Sequence, residues 1–478
     1  MQKVVANRVS YLVVGLYLIS LVLSLQFEFF WILLLPFFLT VGYLAIFKLD
    51  ILLLSLAFLT PLSVNLEEFG DFPVAMFLPT EPIMFGIMLI FLIKLFYKSP
   101  ISREVMLHPV SLIILFQFGW MLFTSITSTM PLVSFKFVLA RLWFLSCFYF
   151  FAIELFKKPK NFIIFISLYA VGMLIVSGYT MYQHALHGFD HKSAHWVMSP
   201  FFKDHTSYGA MLAFLFPFLI GYYFTKDRKA TTSGLIGLLL LVLTAAIILS
   251  FTRAAWLSLV VAIGATVMVW LRIKFRTLLL AVVGLGVVLF FSADQIIQKL
   301  EKNNQDAKGG LAEHVASITN ISTDASNLER LNRWSAAFRM FQDKPVVGFG
   351  PGTYQFKYAP YQLPSEKTII SSNAGDVGNA HSEYIGPLAE QGLLGMVNMF
   401  LLVGFVIFLG VKLYYFLDDD KLSVLALCCT LALITYFTHA FLNNFLDTDK
   451  ASVPVWGCIA MLVALDLYHR RKDKATEQ

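Results

Sequence analysis

The sequence contains little charge. Asp, Glu, Lys and Arg make up only 14% of its 478 residues, whereas hydrophobic residues make up 58%. Soluble domains carry about 25% charged residues, so the composition excludes an ordinary soluble protein and favours an integral membrane protein. The formal net charge is +6, but the basic residues stand in short clusters between apolar runs. We therefore expect membrane lipid as a partner and no nucleic acid.

Cysteine and cofactor motifs are scarce as well. The four cysteines all lie inside apolar runs: Cys147, Cys428, Cys429 and Cys458. None has metal-ligand spacing or an evident disulfide partner, so we interpret them as small core residues. The sequence also has no Walker loop and no His-Glu-x-x-His motif. We expect no ATP, no metal and no redox cofactor.

Long apolar runs fill most of the chain, and a bilayer core needs about 20 apolar residues per helix. The runs predict about fourteen spans, with a margin of about two. They are 9–26, 29–47, 50–63, 81–97, 109–128, 134–156, 161–183, 206–224, 234–251, 253–271, 276–292, 392–416, 422–445 and 452–469. No convincing cleavage site follows the first run, which is therefore predicted to be a membrane helix. The predicted fold is an all-α polytopic membrane protein with about 12–14 transmembrane helices and a large, partly helical periplasmic loop.

The basic residues orient these spans. Lysines and arginines gather in alternate short loops and in the C-terminal tail, whereas the intervening loops carry acidic residues such as Glu67 and Glu68. By the positive-inside rule, both termini are expected in the cytoplasm. The predicted parts are N-terminal transmembrane helices (1–291), a periplasmic loop (292–391) and C-terminal transmembrane helices with a cytoplasmic tail (392–478).

The long polar segment offers a helix and a histidine. Apolar residues recur at 3–4 spacing and predict an amphipathic helix: Leu331, Trp334, Phe338 and Phe341. His381 stands just before the 392–416 run. An imidazole accepts a proton from a hydroxyl near neutral pH and suits a general base. The alternative is a loop histidine that hydrogen-bonds a helix start.

Two arginines fall near or inside membrane spans. Arg253 lies where one predicted span turns into the next, at the expected outer face. Its guanidinium suits phosphate binding, or it anchors the helix by reaching the headgroups. Arg141 follows Lys136 in a span that enters from outside, so it lies about 10 Å deep. An arginine at that depth usually faces a bundle interior, although snorkelling is the alternative.

Other charged groups have competing interpretations. Arg330 and Arg333 lie one turn apart on the predicted outer helix, where they either share a phosphate or form a solvated face. The segment 203–208, which includes His205, either lines the same cavity or caps the next helix. Asp418-Asp-Asp420 is expected on the inner side, opposite to His381, as part of a solvated loop.

Three sequence motifs resemble those of the O-antigen ligase and polymerase superfamily. The first is His381-Ser-Glu-Tyr followed by Glu390-Gln-Gly-Leu-Leu-Gly395. The second runs from Arg333-Trp-Ser-Ala-Ala-Phe through Gly348-Phe-Gly-Pro-Gly-Thr-Tyr354, and the third is Ser250-Phe-Thr-Arg-Ala-Ala-Trp256. The family often has Asn after the histidine, where this chain has Ser382.

The resemblance implies a metal-independent, inverting glycosyltransferase of the GT-C type in the bacterial inner membrane. Such enzymes transfer a glycan from an undecaprenyl-pyrophosphate carrier to a hydroxyl acceptor on the periplasmic face. His381 would activate the acceptor hydroxyl. Four arginines would hold the pyrophosphate: Arg253, Arg141, Arg330 and Arg333. Four further side chains are expected to line the cavity: Lys136, His205, Glu383 and Tyr384.

The acceptor separates the remaining alternatives. Ligation of O-antigen to lipid A–core is the first choice. A polymerase would instead extend an O-antigen or exopolysaccharide on its lipid carrier, and a protein O-oligosaccharyltransferase would glycosylate protein hydroxyls. A transporter of lipid-linked sugars belongs to a different class. It predicts charges spread through mid-membrane positions and inverted repeats, which we do not find in the sequence.

Overall fold

The computed structural model describes most of the chain as helix. The described residues are 30–70, 76–97, 101–224, 230–273, 325–368, 371 and 378–476, together with 15, 17–24, 26, 277, 280 and 284. The chain forms two compact units, residues 1–56 and 57–478. Every motif singled out from the sequence lies in the second unit.

Thirteen principal helices are described. They are α1 (Leu35–Phe47), α2 (Leu49–Leu62), α3 (Thr80–Tyr97), α4 (Pro109–Ile126), α5 (Pro131–Leu145), α6 (Pro159–Leu186), α7 (His205–Tyr223), α8 (Ala230–Leu249), α9 (Arg253–Trp270), α10 (Ala325–Asp343), α11 (Ile385–Phe416), α12 (Asp420–His439) and α13 (Asp449–Thr476). Helix α5 continues through a π-helical turn, Ser146–Phe151, into Ala152–Leu155. Two short antiparallel strands, β1 (Val64–Asn65) and β2 (Phe77–Leu78), pair between α2 and α3.

The predicted all-α membrane fold is confirmed. In the described part of the chain, nine helices are long and apolar enough to cross a membrane, and three shorter apolar helices accompany them. These twelve match predicted spans. Most of the predicted spans 9–26 and 276–292, and residues 292–324 of the predicted loop, lie outside the described residues.

The predicted turn before Arg253 is present. Helix α8 ends at Leu249, Phe251 adopts a positive φ of 50°, and Arg253 begins α9. The unbroken apolar run is therefore two helices. The acidic triplet also has a structural role, because the carboxylate of Asp419 accepts hydrogen bonds from Lys421 N and Leu422 N at the start of α12.

The outer helix α10 forms as predicted, but its buried face differs. Ala336, Ala337 and Met340 are fully buried, and they pack in one cluster with Tyr354 and other residues. Phe338, expected on the buried face, is 47% exposed. The small side chains of Ala336 and Ala337 allow this cluster to pack closely, which a phenylalanine at the same positions would prevent. On α10 the small residues Ala336 and Ala337 are therefore buried, whereas the larger and more hydrophobic Phe338 is exposed.

Two motif segments join backbone to backbone and position α10 on α11. Phe349 N donates to Ala389 O at 3.1 Å, Gly350 N donates to Glu390 O at 2.8 Å, and Leu393 N donates to Pro345 O at 3.1 Å. We call these bonds the backbone clasp. Gly392 interrupts α11 with a φ of 69°, and a Cβ there would collide with the Val346 carbonyl.

A buried lysine fixes the start of α13. Lys450 Nζ donates to Thr60 O at 2.7 Å and to Ser63 O at 2.6 Å, both at the end of α2. The neighbouring Asp449 accepts hydrogen bonds from the hydroxyls of Ser63 and Thr80, each at 2.6 Å. A buried charge is tolerated when it is fully hydrogen-bonded. These bonds hold the loop before α13 at one end of the helices.

The backbone clasp predicts that Gly392→Ala destabilises the protein. Gly392 has a φ of 69° and a ψ of −166°, a conformation essentially restricted to glycine that costs other residues about 1–3 kcal/mol, and the alanine methyl group also meets the Val346 carbonyl. We expect the midpoint of thermal unfolding, followed by fluorescence-detected size-exclusion chromatography, to fall by several degrees. Gly404→Ala is the matched control on the same helix, because a Cβ there meets nothing within 4 Å. Equal midpoints for the two variants would contradict the clasp.

Candidate active site

A polar cavity lies between the clasp and the helix ends. Its volume is about 230 Å³. It is lined by Gln117, Met121, Phe137, Arg141, Lys203, Gly352, Tyr354, Gln355, Asn379, Ala380, Ser382, Glu383, Gly386, Pro387, Glu390, Gln391, Met399, Leu402, Asn444, Leu446, Asp447 and Trp456. Amide and carboxylate side chains outnumber cations in this lining. Such groups suit hydrogen bonds to the hydroxyls of a ligand.

Glu383 connects the histidine motif to the wall of this cavity. Its Oε1 accepts hydrogen bonds from Leu446 N at 2.8 Å and from the Tyr436 hydroxyl at 3.1 Å. Burial raises the pKa of Glu383, whereas Arg141 opposes the rise. Arg141, predicted from its depth to face an interior, therefore lies close enough to act on a buried carboxyl.

Asp447 presents a second carboxyl to the cavity. Its side chain lines the cavity and is exposed there. The protein walls of the cavity desolvate the carboxyl group and raise the pKa of Asp447 to about 7, Glu383 adds to the rise, and Arg141 opposes it. A carboxyl with such a pKa can exchange a proton near neutral pH.

Two further lining residues hold unused hydrogen-bonding capacity. Asn444 Oδ1 and Trp456 Nε1 are buried and have no hydrogen-bond partner among the described residues. Buried polar groups are almost always paired in proteins.

His381 borders this cavity and contacts Arg333 directly. Its neighbours Ala380 and Ser382 line the cavity, while its Nε2 lies 3.2 Å from Arg333 NH1. The same guanidinium nitrogen donates to Asn379 O at 3.0 Å. The backbone of His381 has a φ of 48°, a conformation that is uncommon outside glycine and concentrates at functional sites.

The surroundings of His381 keep its ring neutral. Burial lowers the pKa of His381 to about 3, and the positive charges of Arg333 and Arg330 add to this effect. The carboxylates of Asp204 and Glu329 act in the opposite direction. At neutral pH the ring is therefore unprotonated, which is the state that a proton acceptor needs.

Glu329 fixes Arg333 from the other side. Its Oε1 accepts from Arg333 Nε at 2.9 Å, and both side chains are largely buried. Thr368 Oγ1 donates to Glu329 Oε2 at 3.0 Å, and the Ser371 hydroxyl donates to the same oxygen. Although burial alone would raise the pKa of Glu329, these hydrogen bonds and Arg333 lower it. Glu329 remains ionised and keeps Nε of the Arg333 guanidinium group in one position.

Arg330 and His205 lie near His381 and form a basic group with Arg333. Arg330 Nε donates to Leu442 O at 3.1 Å, and its charge lowers the pKa of His381. His205 begins α7 with its Nδ1 3.1 Å from that of His195. The Thr252 hydroxyl donates to His205 O at 2.7 Å, which places the start of α9, and hence Arg253, beside His205.

The structure separates two of the residues expected to line the cavity from it. Lys136 is exposed and is not a lining residue, because five positions of an α-helix turn it about 140° away from Arg141. Tyr384 is buried, with its ring stacked on Phe400 and its hydroxyl donating to Phe437 O at 3.0 Å. Glu383 lines the cavity, and His205 lies in the basic group near His381.

The sequence did not reveal the roles of two residues of the site, Asp447 and Asp204. Asp447 stands in a short loop between two spans, close to Asn443 and Asn444. A polar loop at a membrane surface is a signal for function, and it could have been used here. Asp204 caps α7, one of the two roles predicted for the segment 203–208, because its Oδ1 accepts from Ser207 N at 2.8 Å. Its electrostatic effect on His381 has no signal in the sequence.

No group of three or more His, Cys, Asp or Glu side chains among the described residues is arranged to hold a metal ion.

Residues 237–400, which contain Arg253, Arg333 and His381, match the family model described as O-antigen ligase. The chain carries a domain of the O-antigen ligase superfamily. This confirms the family that the three motifs predicted. Among curated proteins, none matches the chain. The O-antigen ligase match supports a ligase- or polymerase-like activity on lipid-linked saccharides by a multi-pass membrane protein.

The raised pKa of Asp447 predicts a pH-dependent stability. A carboxyl whose pKa is higher in the folded state stabilises the protein below its ordinary value of 3.8, and this contribution is lost as the pH rises through about 7. Asn cannot ionise. We therefore expect the thermal midpoint of the wild type to fall relative to Asp447→Asn between pH 4 and pH 8. Asp418→Asn, at an exposed site, serves as control. A difference that stays constant with pH would refute the assignment.

Proposed function

We propose that this protein transfers a glycan from an undecaprenyl-pyrophosphate carrier to a hydroxyl group of lipid A–core. The reaction is metal-independent and inverts the anomeric carbon. It takes place on the periplasmic face of the bacterial inner membrane, with both termini in the cytoplasm and residues 292–391 in the periplasm. The observation that carries the proposal is the contact of His381 with Arg333 beside a cavity lined by Arg141, Glu383 and Asp447.

The charges of the site suit the two ends of such a donor. Arg330 and Arg333 belong to the basic group near His381, and Arg253 begins the helix whose start lies beside His205. A pyrophosphate there would find charge-assisted hydrogen bonds. The carboxylates and amides of the cavity suit sugar hydroxyls instead. Arg141 lies in that cavity and would stabilise the pyrophosphate from the sugar side. A lipid-linked glycan would thus extend from the basic group into the cavity.

His381 is the proposed general base. Its Nε2 accepts the proton of the acceptor hydroxyl as the oxygen attacks the anomeric carbon. The bond from that carbon to the pyrophosphate oxygen breaks, and undecaprenyl pyrophosphate leaves with the electron pair. The arginines stabilise the charge that develops on the leaving group, and they are already oriented by their hydrogen bonds to the protein.

Purified protein in liposomes, supplied with lipid-linked glycan and lipid A–core, tests the proposal. We expect a joined product from the wild type. We expect His381→Ala to reduce the rate about 10²–10⁴-fold, the usual contribution of a general base. A folded His381→Ala variant with the wild-type rate would remove the base assignment.

The same assay distinguishes the alternatives. A lengthened lipid-linked glycan would identify a polymerase, and a glycosylated protein would identify an O-oligosaccharyltransferase. Passage of lipid-linked sugar across the bilayer without turnover on any hydroxyl acceptor would identify a transporter.

Arg253→Lys is predicted to weaken binding of the donor. Lysine keeps the charge but loses the forked geometry that grips two phosphate oxygens. We expect the apparent KM for lipid-linked glycan to rise by about tenfold, since a charge-assisted bond contributes about 1.5 kcal/mol or more. Lys136→Arg provides the control, because Lys136 is exposed and does not line the cavity. An unchanged KM would exclude Arg253 from the pyrophosphate site.

A further inference from the structure

Arg333 blocks the nitrogen that the proposed mechanism needs. A guanidinium has only hydrogen-bond donors and never deprotonates in proteins. Its 3.2 Å contact with His381 Nε2 therefore requires the histidine to accept, and the proton of the neutral ring resides on Nδ1. The lone pair that would take up a hydroxyl proton is occupied in the ligand-free protein.

We propose that the pyrophosphate of the donor releases this nitrogen, so that the donor must bind before the acceptor can react. The inference rests on the proposed function, and it adds an order of events that the function alone does not require. Arg333 then has two roles. It blocks the base when the site is empty and binds phosphate when the donor is present.

Competition for one N–H group drives the exchange. Both bonds from Arg333 NH1 have an ionised donor, but a phosphate group is negatively charged and can bind two guanidinium nitrogens at once, so it attracts Arg333 more strongly than a neutral imidazole does. A pyrophosphate within reach therefore takes the guanidinium from His381. Asn379 O, the other partner of NH1 at 3.0 Å, is also neutral and competes no better.

Glu329 makes the exchange a small movement. Its ion pair with Arg333 Nε at 2.9 Å does not involve the nitrogen that contacts His381. The guanidinium group can rotate about this buried contact while the aliphatic part of the Arg333 side chain keeps its position. The ring of Tyr358, 5.5 Å from the guanidinium, supports the same position through a cation–π contact.

The other charges around His381 do not replace Arg333 in this role. Arg330 acts on His381 electrostatically, but its Nε donates to Leu442 O. Asp204 and Glu329 carry negative charge and favour a protonated ring. When Arg333 turns to a dianionic ligand, the positive charge facing His381 is partly neutralised. Its pKa then rises toward the ordinary value, which makes the imidazole a stronger base.

Diethyl pyrocarbonate tests this inference, because it acylates unprotonated and accessible imidazole nitrogens. The rate at His381 is measured by mass spectrometry of the peptide, first without any ligand. We expect Arg333→Gln to react about tenfold faster than the wild type, as the loss of one charge-assisted hydrogen bond implies. In the wild type, inorganic pyrophosphate should raise the rate toward that of the variant, and in Arg333→Gln it should have no accelerating effect.

Arg339→Gln is the matched control. Arg339 lies on the same helix but pairs with Glu366, so its replacement should leave the rate at His381 unchanged. Continued protection of His108, which is buried and contacts Asp466, shows that each variant is folded. Equal rates at His381 in the wild type and Arg333→Gln would overturn the inference, as would protection of the wild type by pyrophosphate. Loss of transfer in the liposome assay with these reactivities intact would overturn the proposed function alone.

Discussion

The close approach of two backbone segments, 345–350 and 389–393, holds α10 and the loop that carries His381 against the membrane helices. Three backbone hydrogen bonds join these segments, and the glycine at 392 gives the kink that exposes the necessary carbonyl and amide groups. Trp120 Nε1 from α4 donates to Gln391 O at 2.9 Å, so the kink is also tied to a membrane helix. This contact fixes the positions of α10, Glu390 and the loop that carries His381.

The charged groups of the site lie in two neighbouring regions, and each region contains both signs. Arg333 and Arg330 act on His381 together with the carboxylates of Asp204 and Glu329, whereas three carboxyl groups and several amides line the cavity with Arg141 and Lys203. Electrostatic attraction is strong in a poorly hydrated space. Pairs such as Arg333 with Glu329 therefore keep the charged side chains oriented.

Local features of the fold were predictable from the sequence, and long-range ones were not. The number and order of the spans, the turn before Arg253 and the helix at 325–343 follow from hydropathy, charge and periodicity. The helix that begins at Ile385 was expected to begin at 392, because its first residues include polar ones. The contact of Arg333 with His381 depends on how residues 48 positions apart pack, which no local pattern encodes. Asp447 was overlooked for the same reason, since its chemistry arises only beside Glu383 and Arg141. Phe338 shows that periodicity identifies a helix but not always its buried face.

The size of the cavity bears on what this protein can distinguish in a polymer. Sites for drug-sized ligands usually measure about 300–1,000 Å³, whereas this one measures about 230 Å³. In the proposed reaction it has space for a sugar ring or little more, and the rest of a long glycan donor would lie outside it. Recognition is then confined to the residue at the point of attachment. Chains with the same first sugar would be treated alike, whatever their number of repeats.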